Sequence, residues 1–114
     1  MKILIVDDEP LIREVIKEYS LIENYEVLEA SNGVEALELV KKEDIDIIVL
    51  DIMMPKLDGY STLKEIKKIK NIPVILLSAR KEEFDKLMGF ELGSDDYLTK
   101  TFSPKELIAR IKAI

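Results

Sequence analysis

Cysteine and histidine are both missing from the 114 residues. Without cysteine there are no disulfides and no thiolate metal sites, and cysteine usage gives no reading of the redox compartment. Without histidine, imidazole-bound zinc and Ser-His-Asp catalysis are excluded as well. Any metal must then be held by oxygen, which points to magnesium, calcium or manganese. No apolar run approaches the ~18 residues needed to span a bilayer, and no signal-peptide pattern opens the chain. Low-complexity tracts and linkers are absent. Basic residues are in deficit: 17 Lys and Arg against 23 Asp and Glu leave a net charge of −6. Such a chain does not attract phosphate backbones, which argues against nucleic-acid binding by this domain alone.

The composition that remains, 47% hydrophobic and 35% charged, is that of one globular domain large enough to bury a core. Short apolar runs alternate with helix-period segments. "KILIV" (2–6), "IDIIVL" (45–50) and "IPVILL" (72–77) are continuously apolar and rich in β-branched residues, as buried parallel strands are. "YEVLE" (25–29) alternates and suits a strand nearer an edge, and "DYLT" (96–99) is the weakest strand.

The helices between them carry readable starts. Pro10 enters a first helix with the stripe Leu11, Ile12, Val15, Ile16 and Tyr19. Asn32 with Glu35 opens a second, striped by Val34, Leu37 and Val40. Asp58 precedes a third with Leu63, Ile66 and Ile69, and a fourth carries Phe84, Leu87 and Met88 with Gly93 after its end. Ser103, Pro104 and Glu106 open the fifth. Five βα units in succession imply a parallel sheet covered by helices on both faces. Right-handed crossovers then favour a doubly wound, five-stranded α/β sheet of order 2-1-3-4-5. The last helical pattern, "LIARIKAI", runs to the final residue, which reads as a domain cut from a longer protein; a stand-alone chain is the competing reading.

In such a sheet, ligands bind at the carboxyl ends of the strands, beside the switch point between strands 1 and 3. Strand 1 ends in Asp7 and Asp8, strand 3 in Asp51, strand 4 in Ser78 and strand 5 in Lys100. Clustered carboxylates resist ionisation unless a cation relieves them. Magnesium, which takes one or two carboxylates and keeps water or phosphate oxygens, fits better than calcium. For Asp7 and Asp8 alone, ordinary acids in a helix's first turn would explain the pair equally well. Asp51 and Lys100 at matching strand ends favour a metal pocket. A carboxylate beside a metal and a lysine can attack phosphorus to form an aspartyl phosphate.

The motifs "VDDE" (6–9), "LDIMMPKLDG" (50–59), "LLSA" (76–79) and "DDYLTK" (95–100), taken together, resemble the receiver domains of two-component response regulators. The resemblance covers essentially the whole chain and implies the flavodoxin-like (βα)5 receiver fold. It implies that Asp51 accepts a phosphoryl group from a sensor histidine kinase. Asp7, Asp8, Asp51 and the Met53 carbonyl would hold Mg2+, for which Mn2+ could substitute. Lys100 and Ser78 would contact the phosphoryl group, and Tyr97 would follow Ser78 inward. Pro55 and Gly59 fall where the family shapes the loop after the acceptor. Met53 and Arg80 occupy the two positions that tune hydrolysis in the family, and here they imply a slowly hydrolysed phosphoryl group.

The segment "GSDDYLTKTFSPKELIARIKAI" is most similar to the subfamily with a C-terminal winged-helix DNA-binding domain (OmpR/PhoB-like). That likeness implies a cytoplasmic transcription factor that binds DNA only through an output domain outside this chain. Lys86, Asp95, Asp96, Glu106 and Arg110 would then form cross-subunit ion pairs of a homodimer built on helix 4, strand 5 and helix 5. Solvated surface charge is the plainer account of the same residues.

One departure stands out: "KTF" (100–102) replaces the family's Lys-Pro-Phe. Either the bond before Thr101 is cis, which is costly before any residue but proline, or a trans bond relocates Lys100. The unchanged remainder of the loop favours cis. Three other readings stay open. A flavin mononucleotide module would need a phosphate loop where "DDEP" repels phosphate. A haloacid-dehalogenase-type phosphatase would place its nucleophile after strand 1 in a DxD pattern. A stand-alone chemotaxis-type receiver is distinguished only by the gene sequence after Ile114.

Overall fold

Five parallel strands alternate with five helices in the order β1 (Lys2–Val6), α1 (Pro10–Ile22), β2 (Glu26–Ala30), α2 (Gly33–Lys42), β3 (Ile47–Asp51), α3 (Gly59–Ile69), β4 (Val74–Ser78), α4 (Glu83–Glu91), β5 (Asp96–Thr99) and α5 (Pro104–Ala113). The computed structural model describes residues 1–54, 56–79 and 83–114, the side chains of 83–85 excepted. Pro55 and Arg80, and the side chain of Phe84, therefore lie outside the described residues. The sheet order is β2-β1-β3-β4-β5, as the alternation of elements implies. Among the described residues no helix is long and apolar enough to cross a membrane.

Side chains alternate across the sheet and build two cores. Leu4, Val6, Ile48, Leu50, Val74 and Leu76 pack on one face with Leu63 and Ile66 of α3 and Val40 of α2. Ile3, Ile5, Ile47, Val49, Ile75, Leu77 and Leu98 fill the other with Ile16 of α1 and Leu107, Ile108 and Ile111 of α5. The central strands β3 and β4 are buried throughout, which is why their sequences read as unbroken apolar runs. Each extends to the polar residue that ends it, Asp51 and Ser78, so both residues are held by sheet pairing rather than by a loose loop.

Helix caps fix where the strand-end loops turn. Asn32 accepts the Glu35 N–H at 2.9 Å, Asp58 accepts the Ser61 N–H at 2.9 Å, and Ser103 accepts the Glu106 N–H at 3.4 Å. Gly93 takes a left-handed φ of +104° just after α4, the conformation that ends helices and favours glycine. The Lys100–Thr101 peptide is cis, the alternative that the unchanged loop favours.

Several stripe residues do not reach the core. Leu11, Val15 and Val34 are exposed, and Ile69 is marginally so. Leu87 and Met88 of α4 are exposed as well, together with Phe90. The cause in α4 is Gly89: a Cβ there would lie 2.7 Å from Leu76 Cδ1, so the helix seats a glycine against β4 while Leu87, Met88 and Phe90 turn outward. Leu11 and Val15 line an apolar groove of about 450 Å³ with Phe102 and Pro104 instead of entering the core.

Gly59 sets the path of the loop after β3. Its N–H donates to the Ile52 carbonyl at 2.8 Å. A Cβ on Gly59 would fall against the Asp51–Ile52 backbone, 2.5 Å from the Asp51 carbonyl oxygen. Gly59→Ala should therefore displace the end of β3 and destabilise the domain by about 1–3 kcal/mol. Urea unfolding of the variant checks this, and an unchanged midpoint would contradict the tight approach.

Candidate functional site

Register and alternation together explain the cluster at the sheet's carboxyl edge. Val6 pairs with Leu50, so Asp7 and Asp51 are the next neighbours on adjacent strands, which run ~4.8 Å apart. Continuing the alternation, Asp7 follows Ile3 and Ile5, Asp51 follows Ile47 and Val49, and Lys100 follows Leu98. All three continue the face that packs against α1 and α5. Lys100 Nζ lies 3.2 Å from Asp7 Oδ2, 3.4 Å from Asp51 Oδ1 and 3.8 Å from Glu9 Oε1.

Asp7 and Asp51 are buried, whereas Asp8, of opposite parity, is exposed. Asp8 lines a cavity of about 630 Å³ with Met53, Met54, Tyr60 and Met88. Ser78 closes β4 and is fully buried, and its carbonyl accepts the Lys100 N–H at 2.7 Å. Tyr97 is buried under α4 and occupies an inward position in this structure. Met53 contributes its backbone N–H to the Asp51 carboxylate while its side chain is exposed.

Burial is the largest influence on Asp51 and pushes its carboxyl up to about 6. Repulsion from Asp7 adds to that rise, and Lys100 and the Met53 N–H oppose it without cancelling it. Asp7 is raised for the same first reason, burial, against the Glu9 N–H and Lys100. For Lys100, burial alone would lower its pKa, but Asp51, Asp7 and Glu9 outweigh it and hold the ammonium charged. Among the described residues, Lys100 is the one ammonium within 4 Å of Asp7, Glu9 and Asp51, and it faces a surplus of carboxylates.

Carboxylate oxygens of Asp7, Asp8 and Asp51 come within 4.8 Å of one another. Oxygens on opposite sides of a magnesium ion stand about 4 Å apart, so small side-chain adjustments would close the set around a hard divalent cation. The all-oxygen donors and the uncompensated charge fit such an ion.

The proposed dimer face is differently disposed. Asp95 is exposed, accepts the Val74 N–H at 2.9 Å and lies 3.7 Å from Lys67 Nζ. Asp96 pairs with Arg110 of the same chain at 2.9 Å. Lys86 is half-buried, and Glu106 is exposed. Asp95, Asp96 and Arg110 thus have partners within their own chain, which the sequence pattern did not disclose.

Two residues escaped the sequence reading. Glu9 donates its N–H to Asp7 Oδ1 at 3.0 Å, and Arg13 donates a guanidinium N–H to the Asp7 carbonyl at 2.7 Å. An acid and a base early in an amphipathic helix look like solvated surface, so only the fold reveals them.

The raised carboxyl gives a signed pH dependence. Folded, Asp51 keeps its proton up to about 6; unfolded, it loses it near the ordinary value of 3.8. The folded state therefore binds the extra proton between those values. This group's contribution is most favourable at the acid end of the window and is lost as pH rises through 6. Asp51→Asn should stabilise the metal-free domain by roughly 1–3 kcal/mol at neutral pH, with the gap closing toward ~pH 4. Urea unfolding in chelator across that range tests it; a variant no more stable than wild type at neutral pH would contradict the buried charge.

The sequence profile described as "Response regulator receiver domain" matches residues 3–112. The chain is 50% identical over 113 residues to a probable transcriptional regulator, ycf27, of Porphyra purpurea, covering 99% of this chain and 46% of that protein. It thus spans about half the length of the curated relatives it matches. The receiver domain of the Francisella response regulator 1452 superposes with a TM-score of 0.94 at 44% identity, covering 98% of this chain and 93% of that one. The Vibrio cholerae chemotaxis protein CheY4 superposes equally well, at 0.94, but is only 29% identical, covering 99% and 97%. The stronger identity lies with transcriptional regulators, so the chemotaxis-type reading is not favoured. With its fold, its strand-end cluster and these likenesses taken together, the chain belongs to the response regulator receiver domain family.

Proposed function

We propose that this domain is a phosphorylation-controlled switch in which Asp51 accepts a phosphoryl group from a sensor histidine kinase. The observation that carries the reading is Lys100 standing within 3.4 Å of both Asp7 and Asp51 beside a third carboxylate, Asp8. Asp7, Asp8 and Asp51, with the Met53 carbonyl, would hold Mg2+ or Mn2+. When bound, the ion supplies positive charge against carboxylate and phosphoryl oxygens.

Asp51 performs the chemistry. One carboxylate oxygen attacks phosphorus, the P–N bond of the kinase's phosphohistidine breaks, and the electron pair leaves with the imidazole. The same step with acetyl phosphate breaks a P–O bond and releases acetate. Lys100 keeps its ammonium on the transferred group, and the Met53 N–H continues to hold the acceptor side chain. Ser78 donates its hydroxyl to the new oxygens, which stabilises the inward position that Tyr97 already occupies here. The result biases α4, β5 and α5 toward self-association. The remainder of the protein, a DNA-binding output domain in this reading, responds in the cytoplasm.

Intact mass after incubation with acetyl phosphate tests the acceptor. One phosphoryl group should add to the wild type only with magnesium present, and none to Asp51→Asn. A full-yield adduct on the variant would place the nucleophile elsewhere.

Dimerisation is tested by sedimentation of the phosphorylated domain. Arg110→Glu breaks the internal pair with Asp96 and puts like charge on the proposed face, so it should lower the dimer fraction. The internal pair is exposed and contributes at most about 1 kcal/mol, so folding should be preserved. A wild type that stays monomeric when phosphorylated would assign this face to another partner.

A further inference from the structure

Every polar atom of Asp7 has a partner. Its N–H donates to the Ala30 carbonyl at 3.1 Å, Oδ1 accepts the Glu9 N–H at 3.0 Å, and Oδ2 faces Lys100 at 3.2 Å. Its carbonyl accepts from the Arg13 guanidinium at 2.7 Å. That last contact has no place in the phosphoryl-transfer roles above. Arg13 Nε also donates to Glu29 Oε1 at 3.2 Å, and Lys17 Nζ stands 3.6 Å from Glu29 Oε2. The Arg13 side chain, only 18% exposed, thus grips β2 with one edge and the peptide between Asp7 and Asp8 with the other.

We propose that Arg13 is a positioning residue: by clamping the Asp7–Asp8 peptide from Glu29, it fixes the angle between the two carboxylates offered to a divalent cation. The inference rests on the reading that Asp7 and Asp8 hold such an ion. The two side chains leave the chain with opposite parity, Asp7 inward and Asp8 outward, so their oxygens converge only for particular orientations of the peptide that joins them. That peptide lies beyond the last β1–β3 pairing, and among the described residues its carbonyl is held by the Arg13 side chain alone. Magnesium demands near-ideal octahedral geometry, so rotation of this plane costs affinity even with every ligand present.

Charge and geometry make opposite demands here, which makes the role testable. Removing a cation from beside an acidic pocket should strengthen magnesium uptake by simple electrostatics. Removing the clamp should weaken it. Arg13→Lys keeps the charge, yet a single ammonium lacks the planar fork that spans Glu29 and the Asp7 carbonyl.

The experiment is calorimetric titration of the metal-free domain with magnesium, well below its melting temperature, for wild type, Arg13→Ala, Arg13→Lys and Glu29→Ala. Arg13→Ala should bind magnesium about tenfold more weakly, in the range seen for groups that orient metal ligands. Arg13→Lys should recover part of the loss, and Glu29→Ala, which frees the anchor but also removes an anion, should lose affinity too, so in that variant only unchanged affinity is decisive. Arg13→Ala binding as tightly as wild type, or tighter, overturns the role. Should Arg13→Ala fail to fold, unchanged affinity in Glu29→Ala overturns it equally. A merely structural arginine would lower the melting temperature without moving the magnesium affinity. A wild type that takes up no magnesium sinks the reading beneath the inference, whereas equal binding in wild type and variants removes only Arg13.

Discussion

One ammonium, the only one that the described residues bring to this sheet edge, stands among more carboxylates than it can offset, and the site depends on that imbalance. Lys100 is within 4 Å of Asp7, Glu9 and Asp51, and the exposed Asp8 stands beside them. The arrangement is electrostatically incomplete by construction: burial and mutual repulsion hold Asp51 toward its neutral form, against a lysine that cannot offset every neighbour. A site in that state could hold a divalent cation, and in the proposed function it would then stabilise an oxygen-rich group placed between that ion and Lys100.

Much of the remaining structure keeps that cluster in place. The order β2-β1-β3 makes Asp7 and Asp51 neighbours, and the parity of three strands puts Asp7, Asp51 and Lys100 on one side of the sheet's edge. Gly59 allows the loop after β3 to press on the end of that strand, and the Lys100 N–H joins the end of β5 to the Ser78 carbonyl. On the far side, α4 approaches β4 through Gly89, with Tyr97 and the buried Ser94 hydroxyl beneath it. That hydroxyl has no hydrogen-bond partner among the described residues.

Where burial decided a residue's type, the sequence was legible. Unbroken apolar runs marked β3 and β4, caps such as Asn32, Asp58 and Ser103 marked helix starts, and the order of elements led to the sheet order. Asp7, Asp8, Asp51 and Lys100 were legible because each stands at or just past the end of a strand, and strand ends in this topology share one edge. The stripes of α1, α2 and α4 misled, because periodicity shows that a face is apolar without showing that it meets the core. Leu87 and Met88 fit a helical stripe yet are exposed, while Gly89 beside them lies close against Leu76. Arg13 and Glu29 lay beyond reach for another reason: Arg13 meets a backbone carbonyl and Glu29, Glu29 meets Arg13 and Lys17, and none of these pairings leaves a periodic signal. The internal pairing of Asp96 with Arg110 was hidden likewise, because sequence can place two charges on one face without saying whether they meet within a chain or across two.

In the proposed switch, Asp51 and no other carboxylate of the strand-end cluster is the nucleophile toward phosphorus. Borohydride reduces an acyl phosphate, converting the aspartate that carried it to homoserine, and tandem mass spectrometry then reads its position. After treatment with acetyl phosphate and magnesium, the account predicts homoserine at residue 51 alone and none when magnesium is withheld. Homoserine at Asp7 or Asp8, or equal conversion of Asp51 without magnesium, would contradict it.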